Sequence, residues 1–158
     1  MEEFITLNKS GVLKIGIKDY EGNPTGEYLE FDMEDIELPI IINNSDIEHK
    51  KNLQKLKADF VIIEKKQDKK GKKLLSFKEE EIIKAMNEFY KKEMEVLDSF
   101  LGKDGTKKLL NGRKPYWTMY DDILDYLQPI MPKLKQNTDD IIGRIKNKYS
   151  AQESDVLE

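Results

Sequence analysis

The spacing of apolar residues changes about a quarter of the way along the chain. Up to residue 42 the apolar residues mostly alternate with polar ones, as they do in a strand with one buried face. Beyond residue 45 they recur three and four residues apart, which is the spacing of an amphipathic helix. We therefore expect a single α+β domain over residues 1–150, with a sheet in residues 1–42 and helices in residues 45–149.

The sheet is predicted to be an antiparallel meander of about three strands. The strands are expected at residues 4–7, 13–17 and 29–33. Residues 19–26 hold two glycines and an Asn-Pro step, which are typical of a chain reversal, and residues 8–11 form the other turn. The third strand is expected because two strands alone are marginally stable in water. Leu38 and Pro39 should end the sheet, and residues 40–42 should form a short edge segment.

A bundle of about four helices should follow, each marked by its end signals. The predicted helices run from Ser45 to Glu64, from Ser76 to Gly102, from Pro115 to Leu127 and from Thr138 to Tyr149. The first is capped by Asn44 or Ser45, and the second starts with a capping box. Pro129 and Pro132 should end the third helix and separate it from the last one, because proline lacks an amide hydrogen. Residues 151–158 are expected to be a flexible tail.

The chain contains one histidine, His49, and no cysteine. Thiol nucleophiles, cysteine zinc sites and redox pairs are therefore excluded, and any acid–base chemistry would depend on one imidazole or on carboxylates. His49 has no second histidine or cysteine at ligand spacing, so we expect it at the surface. This composition favours a binding or assembly protein over an enzyme, with no cofactor and no metal.

The net charge of -4 conceals an uneven distribution, because residues 1–40 carry ten acidic residues and three lysines. The acidic start at Met1 to Phe4 is not that of a signal peptide. The longest apolar run is much shorter than the roughly 20 residues of a membrane helix. We therefore expect a soluble cytoplasmic protein that does not contact a membrane.

Three polar stretches resemble functional sites, and in each the pattern favours a structural role. Residues 65–73 hold six lysines but no arginine or aromatic residue, which favours a solvated loop over a nucleic-acid site. Residues 102–107 resemble a phosphate loop in the wrong order, which favours a helix end and a turn. Asp121, Asp122 and Asp125 are expected on the wet face of a helix rather than around a cation.

Aromatic and methionine side chains on the second and third predicted helices, with an arginine just before the third, are candidates for a partner-binding surface. Ordinary core packing is the alternative interpretation. The candidates are Met86, Tyr90, Met94, Arg113, Tyr116, Trp117 and Tyr120.

Three stretches resemble a family of small proteins from phages and prophages of low-GC Gram-positive bacteria. They read FITLNKSGVLKIGI from residue 4, GEYLEFD from residue 26 and KLLNGRKPYW from residue 108. The resemblance extends from residue 4 to about residue 150. Members of this family are similar in size and layout to siphophage tail assembly chaperones, which coat the tape measure protein until tail tube subunits replace them.

The resemblance implies a protein that works in the host bacterial cytoplasm and binds a helical tape measure or another phage tail protein. It brings no catalytic motif. On this hypothesis the second and third predicted helices form a groove for the apolar stripe of the partner helix. The sequence leaves open whether the chain also forms a homo-oligomer.

An inhibitor of a host defence complex is the alternative function. In that case the acidic hairpin would occupy a basic nucleic-acid groove, with Glu27, Glu30 and Asp32 as the contacting residues. Direct binding of nucleic acid by this chain is not expected, because the residues outside the lysine-rich stretch 65–73 carry a net negative charge.

Overall fold

The computed structural model describes residues 2–7, 11–69 and 74–157, with side chains described as far as Ser150. Among these residues a two-stranded hairpin precedes five helices, which confirms the predicted α+β class. The strands are β1 (Val12–Lys18) and β2 (Pro24–Asp32). The helices are α1 (Leu38–Glu64), α2 (Phe77–Leu101), α3 (Gly105–Leu110), α4 (Met119–Leu127) and α5 (Met131–Leu157).

The hairpin has the antiparallel register that its alternating pattern predicts. Ile15 lies opposite Leu29, and Leu13 lies opposite Phe31. In the turn, the Asp19 carboxylate accepts hydrogen bonds from the backbone N–H groups of Glu21 and Asn23. Ile17, Leu29 and Phe31 are buried, so one face of the hairpin belongs to the core.

The predicted third strand does not form. Residues 4–7 pair with no strand, and the side chains of Phe4, Ile5 and Leu7 are exposed. Most of the predicted turn at residues 8–11 lies outside the described residues. The hairpin is instead stabilised by helices, because the inner face of β2 packs against α2 and α3. Helix packing thus provides the support for which a third strand was expected.

Helix α1 begins at Leu38, six or seven residues before the predicted cap at Asn44 or Ser45. Pro39 lies in its first turn, where the missing amide hydrogen has no partner to lose and the fixed φ suits the helix. Ile41 and Ile42 therefore pack against the core from a helix rather than from an edge strand. The Ser45 hydroxyl donates a hydrogen bond to the carbonyl of Ile42 instead of capping.

Helix α2 begins with the capping box that its sequence predicts. The Ser76 hydroxyl accepts from the Glu79 N–H, and the Glu79 carboxylate accepts from the Ser76 N–H. Gly102, with a φ of 91°, ends the helix. Of the lysine-rich loop at residues 65–73, residues 65–69 are described and exposed, as predicted.

Helix α5 begins at Met131, seven residues before the predicted start at Thr138. Pro132 again lies in the first turn, so this proline starts the helix instead of preventing it. The helix also includes residues 151–157, for which a tail was expected.

The core lies where the hairpin meets the end of α2, helix α4 and the first turn of α5. Leu97 is completely buried at its centre. Other core residues are Phe31, Phe100, Leu101, Met119, Leu127 and Leu134. Helix α1 packs antiparallel along α2, since Asn52 contacts Glu93 while Glu64 lies near Lys78. Helix α4 contacts α1 through Tyr120, while β2 packs directly against α2.

Candidate functional site

An open cavity of about 490 Å³ lies between the hairpin and helices α3 and α4. We call it the hairpin groove. Its interior is mainly apolar, with side chains from β1, α2, α3 and α4. The main apolar contributors are Ile15, Leu101, Leu110, Tyr116, Ile123 and Tyr126.

Helix α3 forms one wall of the groove and is fixed tightly to the end of α2. The Asp98 carboxylate accepts hydrogen bonds from both the backbone N–H and the hydroxyl of Thr106. A Cβ atom on Gly105 would lie only 2.6 Å from the Cβ of Leu101, so glycine permits this close approach. The helix end and turn predicted for residues 102–107 are confirmed. The backbone N–H of Thr106 is already bonded to the Asp98 carboxylate.

The rim of the groove carries charges of both signs. The Arg113 guanidinium lies over the ring of Tyr116, 4.4 Å from its centroid. Burial raises the pKa of the Tyr116 hydroxyl, and its hydrogen bond to Asp122 raises this pKa further. Tyr126 is 75% exposed at the mouth. The groove therefore combines a mainly apolar interior with a charged rim.

The seven predicted partner-binding residues are not brought together. Arg113 and Tyr116 line the hairpin groove, whereas Tyr120 is buried on the opposite side of α4. Trp117 is 56% exposed, and its ring centroid lies 5.7 Å from that of Phe89 on α2. Met86, Tyr90 and Met94 are half-buried along α2. Packed side chains therefore occupy the place between α2 and α4 where the sequence suggested a groove.

A buried polar network joins α1, α2 and α4 in that place. Nδ1 of His49 lies 2.5 Å from Oε2 of Glu93, and the Asn52 amide donates to Oε1 of Glu93 at 2.9 Å. The His49 ring stacks on Tyr120 with centroids 3.8 Å apart. The Tyr120 hydroxyl lies 3.3 Å from the Ser45 hydroxyl. The expectation of a surface His49 was wrong, because its side chain is only 12% exposed.

The network satisfies polar groups that would otherwise be costly to bury. Glu93 is 1% exposed, and both of its oxygens have partners. Burial raises the pKa of the Tyr120 hydroxyl, although the hydrogen bond with Ser45 partly opposes this shift. Among the described side chains, every buried nitrogen and oxygen has a hydrogen-bond partner. The network therefore fixes the register of α1 against α2, because sliding either helix by one turn would break several bonds at once.

The sequence contained a signal for this network. Ser45, His49 and Asn52 recur at helical spacing along one face of α1. Glu93 falls between Phe89 and Leu97 in the apolar stripe of α2. Polar residues at core positions of two neighbouring helices predict a bonded pair, because an isolated charge would be too costly there.

The acidic residues of the hairpin do not form a continuous acidic surface. Glu27, Glu30 and Asp32 are all exposed. Glu30 lies directly opposite Lys14 on the neighbouring strand, and the Glu27 carboxylate is 4.0 Å from Nζ of Lys108. Lysines thus lie beside two of the three carboxylates that the alternative function requires.

Asp121, Asp122 and Asp125 are exposed on α4, as predicted. Asp122 also accepts a hydrogen bond from the Thr118 hydroxyl. No group of three histidine or acidic side chains within the described residues is arranged to hold a metal ion. None of the helices that the structure describes is long and apolar enough to cross a membrane.

Comparisons with protein-family models, curated proteins and solved structures found no match to this chain.

Proposed function

We propose that this protein is a non-enzymatic chaperone that binds an amphipathic helix of a phage tape measure protein during tail assembly. The hairpin groove is the observation that carries the proposal. It is a preformed apolar opening of about 490 Å³ on a surface that is otherwise highly charged. Such an opening is suited to the apolar stripe of a helix that would aggregate in water.

The groove is matched to a helix by both its interior and its rim. Ile15, Leu110 and Ile123 offer side chains from three different elements to the apolar residues of the partner. Each large apolar side chain that the groove buries contributes about 1.5–3 kcal/mol. Arg113 and Asp122 at the rim can pair with charges that flank an apolar stripe. Two or three inserted side chains would thus give moderate affinity, as a chaperone that is later displaced requires.

The resemblance to tail assembly chaperones supports the tape measure protein as the partner. The KLLNGRKPYW stretch, one of the three that carry the resemblance, includes five residues that line the groove: Leu109, Leu110, Asn111, Arg113 and Tyr116. This overlap between a resembling stretch and the lining of the groove supports the proposal.

Co-expression with a helical fragment of the tape measure protein tests the proposal. The wild-type chain should increase the soluble fraction of the fragment. Tyr126→Asp should abolish this effect, because it places a charge at the mouth of the groove with little cost to folding. Val61→Asp is the matched control, since Val61 is 51% exposed on α1 outside the groove. The proposal fails if the wild-type chain leaves the fragment's solubility unchanged or if both variants behave alike.

Calorimetric titration separates this function from the acidic alternative. Binding to the groove should have a negative heat-capacity change, because apolar surface is buried. Charge reversal of the hairpin at Glu27, Glu30 and Asp32 should leave the affinity for the fragment within about threefold of wild type. Loss of binding in the charge-reversed variant would contradict the groove as the binding site.

A further inference from the structure

The sequence contains one Asn-Gly step, Asn111-Gly112, and this step lies at the wall of the hairpin groove. Asn111 ends helix α3 and is one of the residues that line the groove. Both residues of the step are exposed. An asparagine followed by glycine reacts readily with its own backbone, because glycine has no Cβ to hinder the approach of the two groups.

The reaction converts the asparagine to aspartate or isoaspartate and consumes only water. The backbone nitrogen of Gly112 loses its proton and attacks Cγ of Asn111, which closes a five-membered succinimide ring. The bond from Cγ to Nδ2 breaks, and Nδ2 takes up a proton and leaves as ammonia. Water then adds to one of the two ring carbonyls and breaks its bond to the ring nitrogen. Opening at one carbonyl gives aspartate, and opening at the other gives isoaspartate, whose main chain is longer by one methylene group.

The nitrogen of Gly112 is accessible for this attack. Its N–H group donates a hydrogen bond to none of the residues that the structure describes. A Cβ atom built on Gly112 would have no other atom within 4 Å, so there is room for the ring. The φ of Gly112 is 84°, which glycine adopts without strain.

Ring closure requires a local rotation of the backbone. The ψ angle of Asn111 is 54° and must turn before the nitrogen of Gly112 reaches Cγ. The hydrogen bond from the Asn111 N–H to the Lys107 carbonyl precedes this angle and is kept. The bond from the Arg113 N–H to the Leu110 carbonyl must open, and water can replace it because Arg113 is exposed. Rotations in exposed loops are much faster than the chemical step.

The one Asp-Gly step of the chain, Asp104-Gly105, has the opposite arrangement. Asp104 is left-handed like Asn111, with a φ of 57°. The Gly105 N–H, however, donates a hydrogen bond to the Gly102 carbonyl at 3.0 Å. Gly105 is also buried against Leu101, which leaves no room for a ring. Two similar steps at the two ends of α3 therefore differ in whether the nitrogen is free to react.

We propose that Asn111 is a self-modification site, at which the folded chain slowly deamidates through a succinimide to aspartate and isoaspartate. Either product places a carboxylate in the lining of the hairpin groove. Isoaspartate also lengthens the main chain between α3 and Arg113, which shifts the rim. The groove of an aged chain therefore binds an apolar partner less tightly than the groove of a new chain, because the carboxylate must be desolvated. This effect on binding rests on the proposed function, whereas the modification itself does not.

Peptide mapping by mass spectrometry tests the modification in the full chain. Incubation at mildly alkaline pH should increase the mass of the peptide that contains Asn111 by about one dalton and split it into two chromatographic peaks. Conversion should be at least about tenfold faster than at Asn87, because the amide that follows Asn87 is held by the hydrogen bonds of α2. Asn111→Gln should abolish the change, since the longer side chain cannot close a five-membered ring. Equal rates at Asn111 and Asn87 would overturn the proposal.

Asp104→Asn provides a matched control, because it creates a second Asn-Gly step at the closed end of α3. In the folded chain position 104 should convert at least about tenfold more slowly than Asn111. In urea both positions should convert at similar rates, because unfolding removes the difference between them. Equal rates in the folded chain, or conversion of Asn111 only after unfolding, would contradict the proposal. Circular dichroism verifies that the variant is folded.

Calorimetry with the helical tape measure fragment tests the effect on the groove. Asn111→Asp reproduces one of the two products and should weaken binding by about threefold. Asn87→Asp adds the same charge on the exposed side of α2, outside the groove, and should leave the affinity unchanged. If both variants bind as tightly as wild type, the inferred effect on binding is wrong. If the wild-type chain does not bind the fragment, the proposed function fails, and the mass spectra still decide whether Asn111 is modified.

Discussion

The two sides of helix α4 are built differently, although the helix has only nine residues. On one side, Tyr120 is buried between His49 and Ser45 in a bonded polar network. On the other side, Ile123 and Tyr126 line an open apolar groove. One short helix therefore separates a closed interface from an accessible one.

The difference separates a side of α4 that holds the fold together from a side that leaves apolar surface open. Hydrogen bonds are directional, so the network around Glu93 is satisfied in only one arrangement of α1, α2 and α4. Apolar contacts are non-directional, so the binding proposed for the hairpin groove would tolerate different partner side chains at little cost in affinity. Substitutions on the packed side should therefore change stability, and substitutions on the open side should change binding.

Removal of the Glu93 carboxylate should have the largest effect on the packed side. Glu93→Ala leaves the His49 and Asn52 donors without their partner in a buried site, so we expect a loss of about 3 kcal/mol in the free energy of unfolding. Urea denaturation measures this loss. Glu95→Ala is the control, because Glu95 is exposed on the same helix, and it should change stability by less than about 0.5 kcal/mol. Equal effects of the two substitutions would remove the distinction between the two sides of α4.

Gly105 tests how rigidly the wall of the groove is held. In Gly105→Ala the new methyl group would lie 2.6 Å from the Cβ of Leu101, so α3 must shift. We expect a loss of about 2 kcal/mol, measured by thermal denaturation. Gly143→Ala is the opposite case, because nothing lies within 4 Å of its new methyl group. Alanine at that helix-interior position should stabilise the protein by about 0.5–1 kcal/mol. If Gly105→Ala leaves the stability unchanged, α3 is not held rigidly against α2.

Tyr120→Phe tests the hydroxyl at the edge of the network. The stacking on His49 is retained and only the hydrogen bond with Ser45 is lost, so we expect a loss of about 1 kcal/mol. Tyr126→Phe on the groove side should cost much less, because its hydroxyl is exposed to water. Urea denaturation of both variants compares the stability lost when one tyrosine hydroxyl is removed from each side of α4. A larger cost for Tyr126→Phe would reverse the comparison.

Tyr126→Ala should have the smallest effect on stability. The side chain is 75% exposed, so the free energy of unfolding should change by less than about 0.5 kcal/mol. The affinity for a tape measure fragment should nevertheless fall about tenfold, because the aromatic mouth of the groove is lost. On the same sample, denaturation measures the free energy of unfolding and calorimetry measures the affinity for the fragment. A large stability change with unaltered affinity would mean that Tyr126 belongs to the core.

Sequence patterns that span a few residues correctly predicted the elements whose formation depends on neighbouring residues. The hairpin and the start of α2 follow from alternation and from the Ser76–Glu79 capping box, which act over a few residues. The helix starts predicted around Pro39 and Pro132 were wrong. A proline can end one helix or begin another, depending on whether the residues before it or after it pack in the core. At both positions the packing of later residues decides, as Ile41 and Leu134 show by lying against the core.

The candidate site was predicted only in part, for a related reason. Arg113 and Tyr116 were identified because arginine and aromatic residues are common at interfaces. Ile15 and Ile123 could not be paired from the sequence, since they are far apart along the chain and meet only when the hairpin packs near α4. Glu93 and His49 were predictable in principle, because both occupy the apolar face of a helix.

The apolar face of the hairpin affects the order in which the newly made chain folds. Most of the core residues that cover its buried side chains, Leu29 and Phe31 among them, lie between Leu97 and Leu134 and are added later by the ribosome. At about 5–20 residues per second the strands emerge several seconds before their cover. Helices α1 and α2 can pair earlier, because they are neighbours along the chain. We therefore expect nascent chains arrested before α4 to be cleaved by protease in the hairpin, while the α1–α2 pair is already protected.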